Sequence, residues 1–221
     1  MAGLATRISF GLGALAMLAS CAQASAVPAP DTDAPEPRTA PRIEVRLPAD
    51  YAEALRRWRG AEDVNAWIGA RFEYDADRAI ALSETQRAQA GRIRIHEPGE
   101  FFADPTGVCV DLARFAVETL RTIAPASRPS YLMIEFDPVA ISGHLLRRHW
   151  LVGFERDGRF FFFADSRRPG HLAGPYDTVG QFVDEYARYR GRRIVAYRSL
   201  DSHERKLRQQ LPARERGATS L

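Results

Sequence analysis

Cysteine is scarce in this sequence, and compact metal-ligand motifs are missing. The chain of 221 residues has two cysteines, Cys21 and Cys109. One lies beside an N-terminal apolar stretch and the other lies deep in the chain, so a framework disulfide is not expected and each cysteine needs its own explanation. His144, His149 and His171 form no compact ligand pair of the HExxH or CxxC kind. We therefore predict neither a metal centre nor another cofactor.

An excess of charge of one sign is also missing. The 31 basic and 28 acidic residues leave a net charge of only +3 and are spread along the chain. Nucleic acid is therefore not expected as a partner. A hydrophobic fraction of 45% and a charged fraction of 27% exclude collagen, coiled coil and wholesale disorder. This length and composition predict one globular domain.

Outside the N-terminus, no hydrophobic run has the length of a membrane-targeting segment. Residues 1–20 hold Arg7 and then a Gly/Ala/Leu-rich run that is typical of a signal-peptide core and too short for a permanent transmembrane anchor. The run ends in LASC at Cys21, which resembles the bacterial lipoprotein box. We predict export, lipidation of Cys21 and a lipid anchor on the periplasmic face of a membrane. Ordinary cleavage after Ala24 or Ala26 would instead leave a soluble periplasmic protein.

The segment that follows is not expected to fold. Residues 21–42 are mostly Ala, Pro, Asp, Thr and Arg without apolar periodicity, which predicts a disordered tether. We expect the folded domain over residues 43–200 and a charged C-terminal tail over residues 201–221.

The first half of the domain has helical periodicity. Apolar residues recur at spacings of three and four from Pro48 to about Asp77 and are interrupted at Gly60, which predicts two helices or one broken helix. A capping pattern at Ser83 predicts a short helix that ends at Gly91. Several Pro and Gly residues then predict a loop over 92–107. A buried stripe predicts a helix from Val108 onward, which Pro125 ends.

In the second half of the domain, the sequence pattern changes from that of helices to that of β-strands. Asp157-Gly158 is a strong hairpin signal between two of them, and four successive phenylalanines indicate an inner strand. Segment 137–148 is expected to be a long connection or a substrate loop. The predicted elements are strands at 131–136, 149–155, 159–164 and 193–197 and a helix at 177–189. Helices followed by an antiparallel sheet predict an α+β fold.

Three residues in this frame have the chemistry of a thiol enzyme. Cys109 lies at the first turn of a predicted helix, where free N–H groups and the positive helix end favour thiolate, so we expect a pKa below the free value of about 8.5. His149 begins one strand of the predicted hairpin and Asp165 ends the other, so both lie at one rim of the sheet. A nucleophile, a base and an orienting carboxylate are the parts of a catalytic triad. A buried structural cysteine is the alternative at Cys109.

The same segments resemble the transglutaminase-like superfamily of cysteine hydrolases and acyltransferases. The matching motifs are GVCVDLARF around Cys109, RHWLVGF around His149 and FFADSRRPG around Asp165, within a resemblance that covers about Tyr51 to Tyr197. It implies a papain/transglutaminase-like core in which the nucleophile helix packs on an antiparallel sheet and a Cys-His-Asp triad is formed. Papain-type enzymes themselves differ, with another local cysteine motif and a far more distant histidine.

The flanks of the cysteine depart from one branch of this superfamily. Periplasmic proteases that require calcium have acidic residues on both sides of the nucleophile, whereas Val108 and Val110 stand there in this chain. No calcium site is therefore predicted. Asp111 matches a recurring aspartate of the family. We leave it outside the triad, either complementing the helix dipole or pairing with an arginine, with a direct role left open.

Together these features predict an exported thiol hydrolase or acyltransferase that acts on amide bonds of a protein or peptide substrate, including one of the cell envelope. Cys109 would form a thioester, His149 would move the proton and Asp165 would orient the imidazole. Water as acceptor gives peptidase or amidase activity, which we expect over cross-linking, and an amine acceptor would give a transglutaminase. The alternative is a catalytically inactive module of the same fold that binds a partner in the periplasm.

Overall fold

A computed structural model describes residues 47–83, 93–141, 143–164 and 171–204. The signal segment, the tether, Cys21 and the tail after Glu204 lie outside the described residues. So do Asp165 and most of the short helix predicted to end at Gly91.

Helices come first in the described chain and strands dominate its second half. The helices are α1 (Tyr51–Arg57), α2 (Ala61–Arg71), α3 (Ala76–Ala81), α4 (Pro98–Ala103), α5 (Cys109–Ile123) and α6 (Val179–Arg190), with a short 3-10 helix at Pro125–Ser127. The strands are β1 (Glu73–Tyr74), β2 (Thr106–Gly107), β3 (Ser130–Ile141), β4 (His144–Arg156), β5 (Arg159–Phe163), β6 (Ala173–Tyr176) and β7 (Ile194–Leu200). This arrangement confirms the predicted α+β class.

Local capping explains where the first helices begin. Asp50 accepts a hydrogen bond from the backbone N–H of Glu53 at 2.7 Å and caps α1, while Gly60 stands directly before α2. The helical stretch is therefore two helices. A third short helix, α3, follows and is capped by Asp75.

The predicted loop over 92–107 is wrong, because it contains α4 and β2. Pro98 is the first residue of α4, a position where its missing N–H costs nothing and its fixed φ suits a helix. The Glu100 carboxylate accepts a hydrogen bond from the Glu97 backbone N–H at 3.0 Å and so caps this turn. β2 then pairs in parallel with β1 and delivers the chain to α5.

Five strands form one antiparallel sheet with the order β6-β5-β4-β3-β7. The predicted hairpin at Asp157-Gly158 is confirmed, and β5 is an inner strand as its phenylalanine run indicated. The long connection predicted over 137–148 is wrong, since β3 and β4 continue as paired strands to Ile141 and from His144. The pairing register shifts between Glu135 and Val139, where Pro138 has no N–H to give to a ladder.

Both faces of the sheet are covered, so the molecule has two hydrophobic cores. We call the first the α5 core; it lies between the sheet and the first helices, and its strand residues include Tyr131, Val152, Phe154 and Phe163. The α6 core lies on the other face, where Leu132, Ile134, Leu151 and Phe162 pack against Phe182, Val183 and Tyr186. Successive residues of β4 therefore alternate between the two cores. Among the described residues, none of the helices is both long and apolar enough to cross a membrane.

Candidate active site

Cys109 is the first residue of α5, as the sequence predicts. The apolar face of this helix, which includes the fully buried Leu112, Phe115 and Leu120, holds it against the sheet and α4. This packing fixes the end of the helix, and with it the cysteine, beside β4.

The thiol of Cys109 lies close to the backbone of β4. The backbone N–H groups of Trp150 and Val110 are near enough to the sulfur to favour its thiolate form. Trp150 lies two residues beyond the last pair of β4 with β5, Val152 with Phe163. The thiol therefore lies beside the residue that follows His149 in the chain.

His149 is buried and faces the α6 core. It is 3% exposed and pairs in register with Ile134, whose side chain lies in that core. Its imidazole stacks on the ring of Tyr186, with centroids 6.2 Å apart and an interplanar angle of 17°. The imidazole thus faces the α6 core, whereas the helix that begins with Cys109 covers the other face of the sheet.

A buried arginine of α6 completes these surroundings. Arg190 is 3% exposed and donates a hydrogen bond from Nη1 to the Tyr186 hydroxyl at 2.7 Å. Its positive charge acts on both Cys109 and His149. The sequence analysis missed this residue. Its signal is the spacing of Phe182, Tyr186 and Arg190, four residues apart, which puts an arginine on the apolar face of a helix.

The protonation of the thiol differs from the expectation. Burial raises the pKa of Cys109 to about 11, because desolvation outweighs the two backbone N–H donors and the Arg190 charge, and Asp111 adds to the increase. The expectation of a depressed pKa considered only the helix end and omitted this desolvation. Burial and the charge of Arg190 lower the pKa of His149 well below its usual value. At neutral pH the pair is therefore a thiol and a neutral imidazole.

Asp111 pairs with an arginine. Its carboxylate is fully buried and accepts hydrogen bonds from Arg78 Nε at 2.7 Å and Arg78 Nη2 at 2.8 Å. It also accepts from the backbone N–H groups of His96 and Val108, at 2.9 and 3.1 Å. These donors hold the pKa of Asp111 below its usual value despite its burial. The carboxylate anchors the start of α5 to α3 and to the segment before α4.

The third predicted triad residue, Asp165, lies outside the described residues. The described chain approaches it along β5, which ends at Phe163 opposite Val152, at the end of the hairpin that lies toward His149. Ala164 follows with a positive φ of 57°, so the chain leaves the strand direction there. The position of Asp165 in the site stays a prediction.

Comparison with known proteins adds no identification. No protein-family model matches the chain, and a search of curated proteins finds no match. In the part of the chain that the structure describes, no group of three His, Cys, Asp or Glu side chains lies close enough to hold a metal ion.

Proposed function

We propose that this protein is an exported thiol hydrolase or acyltransferase of the transglutaminase-like superfamily, acting on amide bonds of a protein or peptide substrate. Cys109 is the nucleophile, His149 takes the thiol proton, and Asp165 orients the imidazole. A helix that begins at a cysteine and packs on an antiparallel sheet supports the papain/transglutaminase-like core expected for this family.

The observation that carries the proposal is that the backbone N–H of Trp150 lies close to the Cys109 thiol. The start of α5 is thus near the residue directly after His149, although the two elements are separated by a strand in the chain. A nucleophile and its base must lie within hydrogen-bond reach, or one water apart, for proton transfer. The proximity of the two segments supports such an approach of His149 to the thiol.

Because both groups are neutral at rest, the thiol must lose its proton to His149 as it attacks the substrate. The thiol proton passes to His149 as the sulfur bonds to the carbonyl carbon and the carbonyl oxygen takes up the electron pair. The protonated imidazole then donates to the leaving amine, the carbon–nitrogen bond breaks, and a thioester remains on Cys109. Water attacks the thioester with His149 as base and releases the acid. An amine acceptor in place of water would make the reaction a transfer.

A non-catalytic module that binds a periplasmic partner is the second candidate. The raised pKa of Cys109 favours it, because a protonated thiol is a weak nucleophile. The two candidates differ in whether an acyl group is ever attached to Cys109.

The test uses the exported chain with Cys21→Ser, so that Cys109 is the sole thiol, and p-nitrophenyl acetate as an activated acyl donor. We expect continuous release of p-nitrophenolate and an acetyl group on Cys109 by mass spectrometry. Cys109→Ala should abolish both. His149→Asn should slow acylation by about a hundredfold or more, because general-base catalysis is lost.

His144→Asn is the matched control, since His144 is a second histidine of the same strand. It should leave the rate unchanged. Casein hydrolysis, with and without a primary amine, then distinguishes peptidase from transfer activity. Acetylation at the same rate in the His149→Asn and His144→Asn variants would contradict the proposed base. Absence of any acyl group on Cys109 would favour the binding module.

A further inference from the structure

Arg190 is an unusual residue for the centre of a core. Arginine is rarely buried to 3% exposure, because removing its charge from water is costly unless polar partners or aromatic faces surround it. Its guanidinium carbon lies 5.5 Å from the ring centroid of Phe136 and 5.6 Å from that of Tyr186. The hydrogen bond to the Tyr186 hydroxyl adds a directed contact. The guanidinium is therefore held in a defined position on the α6 side of the sheet.

Tyr186 links this arginine to the candidate base. One ring receives the Arg190 hydrogen bond at its hydroxyl and stacks on the imidazole of His149. Tyr186 is itself fully buried and stacks on Phe182, with centroids 5.5 Å apart. The orientation of His149 thus depends on a tyrosine whose own position is set by Phe182 and Arg190.

We propose that Arg190 is a positioning residue of the reaction, which orients His149 through Tyr186 and supplies a fixed positive charge on the side of the sheet that His149 faces. The inference rests on the proposed function. It adds a role for α6, whose residues the sequence resemblance did not assign to the site.

The sign of this charge suits the first step of the reaction. Negative charge develops on the sulfur and the carbonyl oxygen during attack, and a preorganised positive charge in a site removed from water stabilises it without reorganisation. Burial and, after it, the same charge lower the pKa of His149, so the imidazole is unprotonated at rest and able to accept the thiol proton. Arg190 opposes the imidazolium formed later, which the carboxylate of Asp165 is expected to offset.

The charged groups around the pair come from several elements. The charge of Arg190 acts on both residues from α6, and Asp111 acts on the thiol from α5 while it is paired with Arg78 of α3. Tyr186 is a further titratable group, which stacks on His149. Asp165 is the additional group that the sequence predicts there. Replacing Arg190 changes one charge in this set and leaves the others in place.

The test compares Arg190→Gln with Arg188→Gln in the Cys21→Ser chain. Arg188 is the matched control, because it lies in the same last turn of α6 but is exposed. The measurements are the pH dependence of Cys109 alkylation by iodoacetamide and the titration of the His149 ring by NMR. In Arg190→Gln both midpoints should move to higher pH by about half a pH unit or more, because a nearby positive charge favours thiolate and disfavours imidazolium. The acid limb of the p-nitrophenyl acetate profile should move in the same direction.

Charge and position are separated by two further variants. Arg190→Lys keeps the charge and should restore the midpoints, whereas Tyr186→Phe keeps the ring and removes the 2.7 Å hydrogen bond. If Arg190→Gln fails to fold, as judged by circular dichroism, Tyr186→Phe decides the question with a smaller shift of the same sign. Alkylation and ring titration need no turnover, so they report on Arg190 even if the acyl-transfer assay is negative. Midpoints in Arg190→Gln or Tyr186→Phe that equal those of Arg188→Gln would overturn the inference.

Discussion

At the scale of single residues, Asp111 has a different role from the one that its residue type suggests. An aspartate two positions after a nucleophile is a natural candidate for catalysis, yet its carboxylate is fully occupied by the Arg78 guanidinium and two backbone N–H groups. The same contacts cap the first turn of α5. Asp111 therefore affects the position of Cys109 through the helix, and its replacement is expected to act first on stability.

Asp111→Asn should lower the free energy of unfolding at pH 7 by about 3 kcal/mol, since it leaves the largely buried Arg78 without its carboxylate. Because the pKa of Asp111 is lower in the folded protein than in the unfolded chain, its contribution is fully present above about pH 4 and is lost as the pH falls through the folded value. Urea unfolding at several pH values checks both points. The variant should lose less stability than the wild type on acidification.

Glu53→Gln provides the control for Asp111, since Glu53 pairs with Arg57 at 2.9 Å on the exposed surface of α1. We expect a much smaller change in the free energy of unfolding there, because water and salt screen an exposed ion pair. Equal effects of the two substitutions would mean that the buried pair contributes no more than a surface pair.

At the scale of elements, the sequence predicted those whose pattern is local. The stripe of α5 and the turn at Asp157-Gly158 depend on neighbouring residues, and both are confirmed. The predictions failed where a residue type that is common in loops also occurs within a helix or a strand. Pro98 suggested a loop but begins a helix, and segment 137–148 suggested a long connection, although its Pro138 lies where the ladder of paired strands shifts register.

The hairpin turn gives a prediction at this scale. Gly158 has a φ of 72° with open space around it, so an added Cβ would meet no neighbour but would be strained by the backbone. Gly158→Ala should therefore lower the free energy of unfolding by about 1 kcal/mol. Thermal and urea unfolding measure this change.

Gly99→Ala is the control substitution for the turn. Gly99 lies in the first turn of α4, and a Cβ there would make an ordinary contact with Tyr51 at 3.7 Å. The change should be neutral or stabilising, because alanine loses less backbone freedom on folding and favours a helix. A Gly158→Ala variant as stable as Gly99→Ala would contradict the role of the positive φ.

At the scale of the whole molecule, the site depends on contacts between distant parts of the chain. Cys109 and His149 were predicted from short motifs, because each motif consists of residues that are neighbours in the sequence. Arg190 was not, since its relation to them arises only when α6 packs on the face of the sheet opposite α5. Arg190 is too far along the chain from Cys109 and His149 for any short sequence motif to include it with them. The register of β4 was equally hidden, as it depends on pairing with β3 over a segment that suggested a loop.

The membrane anchor is the prediction that concerns the whole chain. The LASC motif that ends at Cys21 should direct lipidation, so the wild-type protein should fractionate with membranes and Cys21→Ser should appear in the soluble periplasm. Ser25→Ala, in the tether beyond the motif, should fractionate like the wild type. If mass spectrometry finds unmodified wild-type protein in the soluble fraction, the predicted lipid anchor is wrong.

Because helices cover both faces of the sheet, the surroundings of Cys109 and His149 are complete only when the last helix has packed. The helix that holds Cys109 is formed by the first half of the domain, whereas Tyr186 and Arg190 belong to the last helix. On the proposed export, the chain would emerge from its N-terminus and present the cysteine well before Tyr186 and Arg190. Until α6 docks, His149 lacks its stacking partner. The proposed reaction would therefore be latent in the nascent chain, and truncation before α6 would return the domain to this latent form without altering Cys109.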